Sequence, residues 1–174
     1  MRKVLGREFL NRPAVRVAQE LLGKFLVIKN TEGKIEGFMI TEVEAYDGFK
    51  DLASHASRGK TARNTPMWSE AGTWYVYFVY GNYFMLNVVT REKDYPAAVL
   101  IRGVEGIKGP GRLTKKLKID KRFNNLKASK KTGLWIEDRD VRVKKSEIKK
   151  LPRVGVSYAG PIWSKKLWRF YLAQ

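Results

Sequence analysis

The sequence contains no cysteine, one histidine and no long apolar run, and each absence removes a class of protein. Without cysteine there is no disulfide, and with His55 as the only histidine a zinc site of the usual nitrogen and sulfur ligands is not expected. No stretch approaches the roughly 18 apolar residues of a membrane-spanning helix, and the first residues lack the apolar core of a signal peptide. We therefore expect a soluble, intracellular protein.

Acidic residues are scarce beside basic ones, with 17 Asp and Glu against 35 Lys and Arg and a net charge of +18. Such an excess indicates a polyanionic partner, most often nucleic acid, although solubility alone is an alternative explanation. Basic residues concentrate in residues 108–131 and 144–169, whereas residues 32–51 are rich in carboxylates. A basic protein that keeps carboxylates in one segment is expected to use some of them.

The length of the chain and the absence of repeats or linkers favour one domain. A chain of 174 residues can bury roughly 70% of the surface that its unfolded form exposes, so its core needs no disulfide or metal. The sequence has no internal repeat, low-complexity tract or linker, and residues 1–174 are therefore expected to form a single domain.

Local patterns predict both helices and strands. Apolar residues recur at helical spacing in residues 14–22, and a glycine-rich turn opens a second, basic helix at residues 109–117. Apolar or alternating runs predict strands at residues 24–30, 34–46, 97–104, 134–136, 141–143 and 153–156, and an extended segment at 165–172. Residues 47–66 predict a long loop with one helical turn near residues 51–56, and such loops are usually functional.

Residues 72–87 are the most unusual stretch, because they hold 7 of the 21 aromatic residues. They predict two strands that meet near residues 81–82, where glycine and asparagine tolerate positive φ. Alternation places Trp74, Val76 and Phe78 on one face, where we expect them in the core, and the phenols of Tyr75 and Tyr77 on the opposite face. Three interpretations of the aromatic residues stay open: core packing, a stacking platform for single-stranded nucleic acid, or a pocket and wedge for an extruded base.

Three charged or titratable residues are candidates for chemistry. Strict alternation along the predicted strand 34–46 places Glu44 on one face with large apolar side chains; the residues of that face are Phe38, Ile40, Glu42, Glu44 and Tyr46. An apolar environment would raise the pKa of Glu44 and suit it to general-base catalysis, whereas the alternative is a solvated partner of nearby lysines. Arg102 interrupts an apolar strand and needs either a core carboxylate or a site. His55, in a polar loop, is either a structural hydrogen-bonding residue or a functional one.

A series of motifs, in order along nearly the whole chain, resembles the alkyladenine (3-methyladenine) DNA glycosylase family. These motifs are residues 42–46, 51–55, 58–59, 62–64, 72–81, 87–89, 99–105, 109–113, 153–156 and 169–171, including the Tyr-Val-Tyr-x-x-Tyr-Gly core of the aromatic stretch. The sequence does not resemble the helix-hairpin-helix glycosylases that share the substrate.

The resemblance implies an α+β fold, in which one mixed domain surrounds a curved antiparallel β-sheet with peripheral helices. It also implies an enzyme that acts on damaged double-stranded DNA as a monomer, away from membranes, in the cytoplasm or nucleoid of a prokaryote. Its expected reaction flips 3-methyladenine, 7-methylguanine or hypoxanthine out of the duplex and hydrolyses the N-glycosidic bond, which leaves an abasic site. An alkylated purine cation is a good leaving group, so no metal or other cofactor is expected.

The resemblance also assigns roles to residues of this sequence. Glu44 would be the general base that activates water, and Arg102 would help to hold that water. The base pocket would be formed by Tyr46, His55, Tyr77 and Asn87, with Asn87 disfavouring a guanine amino group. Tyr80 would insert into the DNA stack, and the DNA backbone would be contacted by Arg63, Asn64, Arg112 and Lys115.

Two other functions stay open from the residues alone. One is a non-catalytic protein that binds single-stranded nucleic acid on the aromatic hairpin. The other is a metal-dependent nuclease that uses Glu42, Glu44, Asp47 and Asp51. No lysine stands out as a Schiff-base nucleophile, so a glycosylase of this sequence is expected to be monofunctional, without strand cleavage.

Overall fold

The computed structural model describes residues 2–173. Within this range the strands are β1 (Lys3–Val4), β2 (Phe25–Lys29), β3 (Ile35–Asp47), β4 (Trp74–Val79), β5 (Tyr83–Val89), β6 (Ala97–Val104), β7 (Ile107–Lys108), β8 (Leu134–Asp138), β9 (Ile148–Leu151) and β10 (Arg169–Leu172). The α-helices are α1 (Arg7–Leu10), α2 (Ala14–Leu21), α3 (Pro110–Lys116) and α4 (Gly160–Trp163). Short 3-10 helices lie at His55–Arg58, Thr65–Trp68, Lys121–Phe123, Lys130–Thr132, Lys145–Glu147 and Ser157–Ala159.

The strands pair into an antiparallel sheet around the long strand β3. The strand order is β1-β8-β2-β3-β6-β5-β4, and β10 joins β3 to β9 while β7 extends from β6. Strand β3 changes partner along its length, because residues 35–39 pair with β2 and residues 42–44 pair with β10. On its other edge, residues 40–47 pair with β6. The sheet with its few helices confirms the predicted α+β class.

The main core lies between one face of this sheet and helices α2 and α3. Helix α2 packs on β3 and β6 through an apolar stripe of Ala14, Val17, Ala18 and Leu21, all of them fully buried. Complete burial of a Val or Leu side chain is worth about 1.5–3 kcal/mol, so this stripe accounts for the docking of the helix. Helix α3 packs on β5 and β6.

The two faces of strands β3 to β6 bury different kinds of side chain. The face toward the helices is apolar and belongs to the main core: Val43, Ala45, Trp74, Val76, Leu86, Val88, Val99 and Ile101. The alternate residues of the same strands point to the opposite face and are largely polar or aromatic: Glu44, Tyr46, Tyr75, Tyr77, Asn87, Leu100 and Arg102. We call the second face the polar face.

A β-bulge in β3 decides which residues reach the polar face. The register with β6 shifts on both sides of Glu42, and Ile40 and Val43, three residues apart, both lie in the main core. Strict alternation would put them on opposite faces, so the inserted residue reverses the pattern from this point onward. The expectation that Phe38 and Ile40 share a face with Glu44 is therefore wrong.

The hairpin of β4 and β5 turns where it was predicted, but it does not bury all the expected core residues. The turn comprises residues 80–82, with φ values of 53° for Tyr80 and 63° for Gly81. Phe78 is 47% exposed and packs beside Phe84 next to the turn of the hairpin, whereas Trp74 and Val76 are buried as predicted. Phe78 lies too far toward the tip for the main core to cover it.

Some of the other local predictions are confirmed and some are wrong. Residues 97–104 form β6, and the last predicted extended segment contains β10. Residues 141–143 are irregular, and residues 153–156 form a turn that Gly155 permits with a φ of 72°. The helical turns of the long loop lie at His55–Arg58 and Thr65–Trp68, later in the chain than predicted. Between residues 2 and 173, no helix has both the length and the apolar character to cross a membrane.

Candidate functional site

A cavity of about 310 Å³ opens on the polar face of the sheet. The sheet contributes Glu44, Tyr46, Tyr75, Tyr77, Val79, Met85, Asn87, Ala98, Leu100 and Arg102 to its lining. The segments above the sheet contribute Ala53, Ser54, His55, Met67, Tyr80, Pro110, Val154, Gly155, Val156 and Tyr158. All the residues assigned to catalysis, the base pocket and intercalation by the sequence therefore border one space.

Strand pairing explains why these residues converge. Glu44 is opposite Leu100, Leu100 is opposite Asn87, and Asn87 is opposite Tyr75. Residues opposite each other in neighbouring strands project to the same face, so the four side chains form a row across the sheet. Residues far apart in sequence thus become the floor of one cavity.

The carboxylate of Glu44 is the most confined charged group of the floor. Its side chain is fully buried, Oε1 accepts the N–H of Val154 at 2.7 Å, and Oε2 accepts the hydroxyl of Tyr46 at 2.7 Å. Burial raises the pKa of Glu44, and the rise is opposed chiefly by the charge of Arg102, then by these two hydrogen bonds. Glu44 is thus a carboxylate held in a fixed position with a raised pKa, and it is not a solvated partner of lysines.

Arg102 lies beside this carboxylate in a network of charges. Its Nη1 is 3.4 Å from Oε1 of Glu44, and its Nε donates to Oε1 of Glu42 at 3.0 Å. Glu42 also accepts Nη1 of Arg169 at 3.2 Å. Arg102 therefore has carboxylate partners and also borders the cavity.

Aromatic rings form the walls. The rings of His55 and Tyr77 meet edge to face with centroids 4.8 Å apart, and Nδ1 of His55 is 3.0 Å from the hydroxyl of Tyr75. Desolvation lowers the pKa of His55, and the nearby charge of Arg63 lowers it further, so the imidazole is neutral at pH 7. Burial raises the pKa of Tyr46 well above its usual range, and the carboxylate of Glu44 adds to the rise.

Asn87 has a fixed orientation in the floor. Its side chain is 3% exposed, and Nδ2 donates to the carbonyl of Tyr75 at 3.1 Å. A second, longer contact joins Nδ2 to the carbonyl of Met85 at 3.5 Å. These backbone partners hold the amide nitrogen, which leaves the amide oxygen as the group that can meet a ligand.

Tyr80 differs from the wall residues because it stands at the rim and is 89% exposed. Its φ of 53° is in the left-handed region, which bulky residues seldom adopt. A large aromatic side chain held at the tip of a hairpin has little packing reason to be there. Its geometry suits contact with a surface outside the protein.

The four residues predicted to contact the DNA backbone divide into three groups. Arg112 and Lys115 are exposed on α3, whose first residue, Pro110, borders the cavity. Arg63 lies 5.1 Å above the ring of Tyr77 and donates to the carbonyl of Phe78 at 2.9 Å.

Asn64 is the exception, since it is 3% exposed and its amide is already hydrogen-bonded within the loop. Nδ2 donates to the carbonyls of His55 and Gly59, and Oδ1 accepts the N–H of Thr61. No donor of this amide remains for a phosphate. A backbone contact by Asn64 would require this loop to rearrange, and in the structure the residue shapes the loop that carries His55.

From the sequence we assigned no role at the cavity to Arg153, Val154 or Tyr158. Asp51 and Arg153 form a buried bidentate ion pair, and the N–H of Val154 reaches Glu44. Tyr158 borders the cavity and donates its hydroxyl to the carbonyl of Ala53 at 2.8 Å. The only signal in the sequence was the presence of the segments 51–55 and 153–156 among the family motifs, without a reason for their pairing.

The carboxylates proposed for a metal-dependent nuclease do not converge on a metal site. Glu42 and Glu44 pair with Arg102, whereas Asp51 pairs with Arg153. Across residues 2–173, no group of three or more His, Cys, Asp or Glu residues is placed to hold a metal ion.

Comparisons with known proteins agree on one family. Residues 8–108 and 103–174 match the family description of methylpurine-DNA glycosylase (MPG). A relative from Methanocella arvoryzae is 41% identical over 188 residues, which cover 97% of this chain and 92% of the relative. Relatives from Sodalis glossinidius (40% identity; 96% and 95% covered) and Legionella pneumophila strain Paris (43%; 99% and 95%) are similar over the same extent. Each relative carries the provisional name 3-methyladenine DNA glycosylase.

Proposed function

Because this chain belongs to the methylpurine-DNA glycosylase family, we propose that it removes 3-methyladenine and 7-methylguanine from duplex DNA with a water activated by Glu44. The family makes it a DNA glycosylase, a hydrolase that acts on DNA. The observation that carries the proposed mechanism is a fully buried carboxylate at the floor of an aromatic cavity, with an arginine 3.4 Å away.

In the proposed reaction, water attacks the anomeric carbon of the flipped nucleotide. The new bond joins the water oxygen to that carbon, and the N-glycosidic bond breaks with its electron pair passing to the base nitrogen. Glu44 accepts the proton of the water, and Arg102 donates a hydrogen bond that orients it. The negative charge of Glu44 also stabilises the positive charge that develops on the sugar.

The walls suit a cationic purine. The faces of aromatic rings attract a cation, and an alkylated purine carries a positive charge that it loses on departure. His55 is neutral at pH 7 because its pKa is lowered, so it does not repel such a base. Tyr46, His55 and Tyr77 stack against the base, and Asn87 meets its edge through the amide oxygen, which can accept a hydrogen bond from the base.

Extrusion of the base requires a group that fills the space it leaves in the duplex. Tyr80 takes this role, because it is the exposed aromatic tip of the hairpin whose base forms the cavity. Arg112, Lys115 and Arg63 hold the phosphates around the extruded nucleotide. Affinity for DNA should fall steeply with salt, since each neutralised phosphate releases counterions.

The enzyme acts as a monofunctional glycosylase and a monomer. A lyase step needs an amine that forms a Schiff base with the sugar. Among the cavity-lining residues in the described part of the chain there is no lysine. Hydrolysis by water therefore leaves an intact strand with an abasic site.

A release assay tests this function directly. Methylated duplex DNA is incubated with the protein in EDTA, and free bases are identified by mass spectrometry across a panel with 3-methyladenine, 7-methylguanine and hypoxanthine. We expect the two cationic bases to be released and the neutral hypoxanthine, which needs protonation to leave, to be released more slowly. Strand cleavage without base release would contradict the proposal, and a DNA adduct trapped by borohydride would contradict the monofunctional mechanism.

A further inference from the structure

A buried ion pair lies behind the cavity and has no place in the chemistry described above. Arg153 donates from Nη1 to Oδ2 of Asp51 at 2.6 Å and from Nη2 to Oδ1 at 2.8 Å, and both side chains are fully buried. Burying two charges is unfavourable unless their geometry is excellent, and replacing such pairs by apolar residues is often neutral for stability. Stability alone is therefore a weak reason for its presence.

Arg153 connects this pair to the strand that bears the general base. Its Nη1 also donates to the carbonyl of Ala45 at 2.9 Å, between Glu44 and Tyr46 in sequence. Its guanidinium lies 4.8 Å from the centroid of the Tyr46 ring, and the hydroxyl of that ring donates to Glu44. The arginine thus braces one wall of the pocket from outside.

Asp51 connects the same pair to the loop that bears His55. Its Oδ2 accepts the N–H of Asp47 at 3.2 Å, and its Oδ1 accepts the N–H of Ala53 at 3.1 Å. Ala53 and His55 both line the cavity. The carboxylate therefore determines the path of the loop just before it reaches the opposite wall.

The residue after Arg153 makes the direct contact with the general base. Val154 donates its N–H to Oε1 of Glu44 at 2.7 Å from an irregular turn that no strand pairing supports. The preceding side chain, Arg153, anchors the turn through Asp51, Ala45 and a contact of 3.3 Å with the carbonyl of Trp163. Arg169 adds one hydrogen bond, from Nε to the carbonyl of Pro152 at 2.9 Å.

We propose that the Asp51–Arg153 pair is a positioning device for the reaction: it aims the Val154 N–H at Glu44 and holds the Tyr46 and His55 walls at a set separation. This role rests on the proposed glycosylase function. Reactive groups must keep their geometry closely, because a displacement of about 1 Å can lower a rate about 100-fold. The pair acts through other residues and does not touch the base.

The chain offers a matched control at the other end of the sheet. Arg139 donates to Glu137 at 3.1 Å, with side-chain exposures of 20% and 6%, and Glu137 also accepts the indole N–H of Trp135. This pair is less deeply buried than Asp51–Arg153 and contributes no residue to the cavity. Its disruption should affect folding without affecting catalysis.

The experiment compares Arg153→Lys with Arg139→Lys in the full chain. Lysine keeps the charge but cannot form the bidentate pair and the carbonyl contacts together. For Arg153→Lys we expect the single-turnover rate of 7-methylguanine release to fall about 10- to 100-fold, with affinity for undamaged duplex nearly unchanged. For Arg139→Lys we expect a lower melting temperature and the wild-type rate.

The pH profile supplies a readout that a purely structural role would not move. Loosening the Val154 N–H removes a hydrogen bond that lowers the pKa of Glu44, so the acidic limb of the rate profile should move to higher pH. Arg153 itself lowers the pKa of Glu44 through its charge, and lysine keeps that charge. The remaining charged or titratable groups that face Glu44 are unchanged in both variants: Tyr46, Tyr77, Arg102 and Tyr158.

A folded Arg153→Lys variant with the wild-type rate and acidic limb would overturn the positioning role. If that variant does not fold, Asp51→Glu, which keeps the charge and shifts the carboxylate by one methylene, is measured in the same way and decides by the same criteria. If only the positioning role is wrong, the wild type still releases the base. Absence of base release by the wild type contradicts the proposed function itself, and the positioning role with it.

Discussion

On the face of β3 to β6 that meets the helices, side chains such as Val43, Trp74 and Ile101 are fully buried and apolar. On the opposite face of the same strands, Glu44 and Asn87 are buried just as deeply but carry polar groups. The two faces are stabilised by different interactions. Apolar packing is sufficient on the first face, whereas each buried polar group on the second face needs a hydrogen-bond or charge partner. One set of strands thus separates stability from chemistry, and single substitutions can test how complete the separation is.

The largest expected effect comes from Glu44→Gln on the polar face. Removal of a general base lowers rates by about 10²–10⁴-fold, so base release in a single-turnover assay should fall by that factor. Because the pKa of Glu44 is raised in the folded protein, its protonated carboxyl group contributes stability at low pH. This contribution is lost as the pH rises through the folded pKa and the group ionises. The variant should therefore melt no lower than the wild type at pH 7, and any advantage should vanish in acid. Release at the wild-type rate would exclude Glu44 as the base.

Ile101 and Leu100 are neighbours in β6 that point to opposite faces, and they form a matched pair. Ile101→Ala opens a hole in the main core and should lower the free energy of unfolding by about 2–5 kcal/mol, measured in urea. Its folded fraction should release base at close to the wild-type rate. Leu100→Ala alters the cavity floor and should change the rate as well as the stability. Equal rate losses in both variants would show that the faces are not independent.

Tyr80 extends the comparison to the rim of the polar face. Base stacking on an aromatic ring is worth about 1–3 kcal/mol, so Tyr80→Ser should weaken binding to a duplex with an abasic analogue about tenfold or more. Affinity for undamaged duplex should change much less, because the side chain fills a gap only after extrusion. Equal losses for both duplexes, measured by fluorescence anisotropy, would argue against insertion.

The smallest effect is expected for Tyr46→Phe, which keeps the ring and removes one hydroxyl. The hydroxyl stabilises the ionised form of Glu44, so its loss should raise the pKa of Glu44 further and move the acidic limb of the rate profile to higher pH. The rate on the plateau should change less than about tenfold. A limb that stays in place would show that this hydrogen bond does not set the basicity of Glu44.

Many of the strands and helices could be predicted from local sequence patterns. Strand β6 coincides with the predicted residues 97–104, and the stripe of α2 is buried at the predicted positions. Such features depend on periodicity within a short window. The expected neighbourhood of Glu44 failed for the opposite reason, since a bulge is one inserted residue with no periodic signature.

The candidate site shows the same limit. The residues of the floor lie in recognisable motifs, and the cavity does bring Glu44, His55, Tyr77 and Arg102 together. The partner of Arg153 was not predictable, because 102 residues separate it from Asp51 and either residue has many charged candidates. The burial of Asn64 was not predictable either, because its polar side chain did not suggest it.

By itself, the sequence determined the basic charge of the protein, the strands and helices with strong periodicity, and the residue types available for catalysis. The tertiary structure alone decided which face of β3 carries the carboxylates, which backbone N–H meets Glu44, and which carboxylate pairs with Arg153. The physical reason is range: charge and periodicity are properties of the local chain, whereas burial and hydrogen bonding are defined only when distant segments are brought into contact.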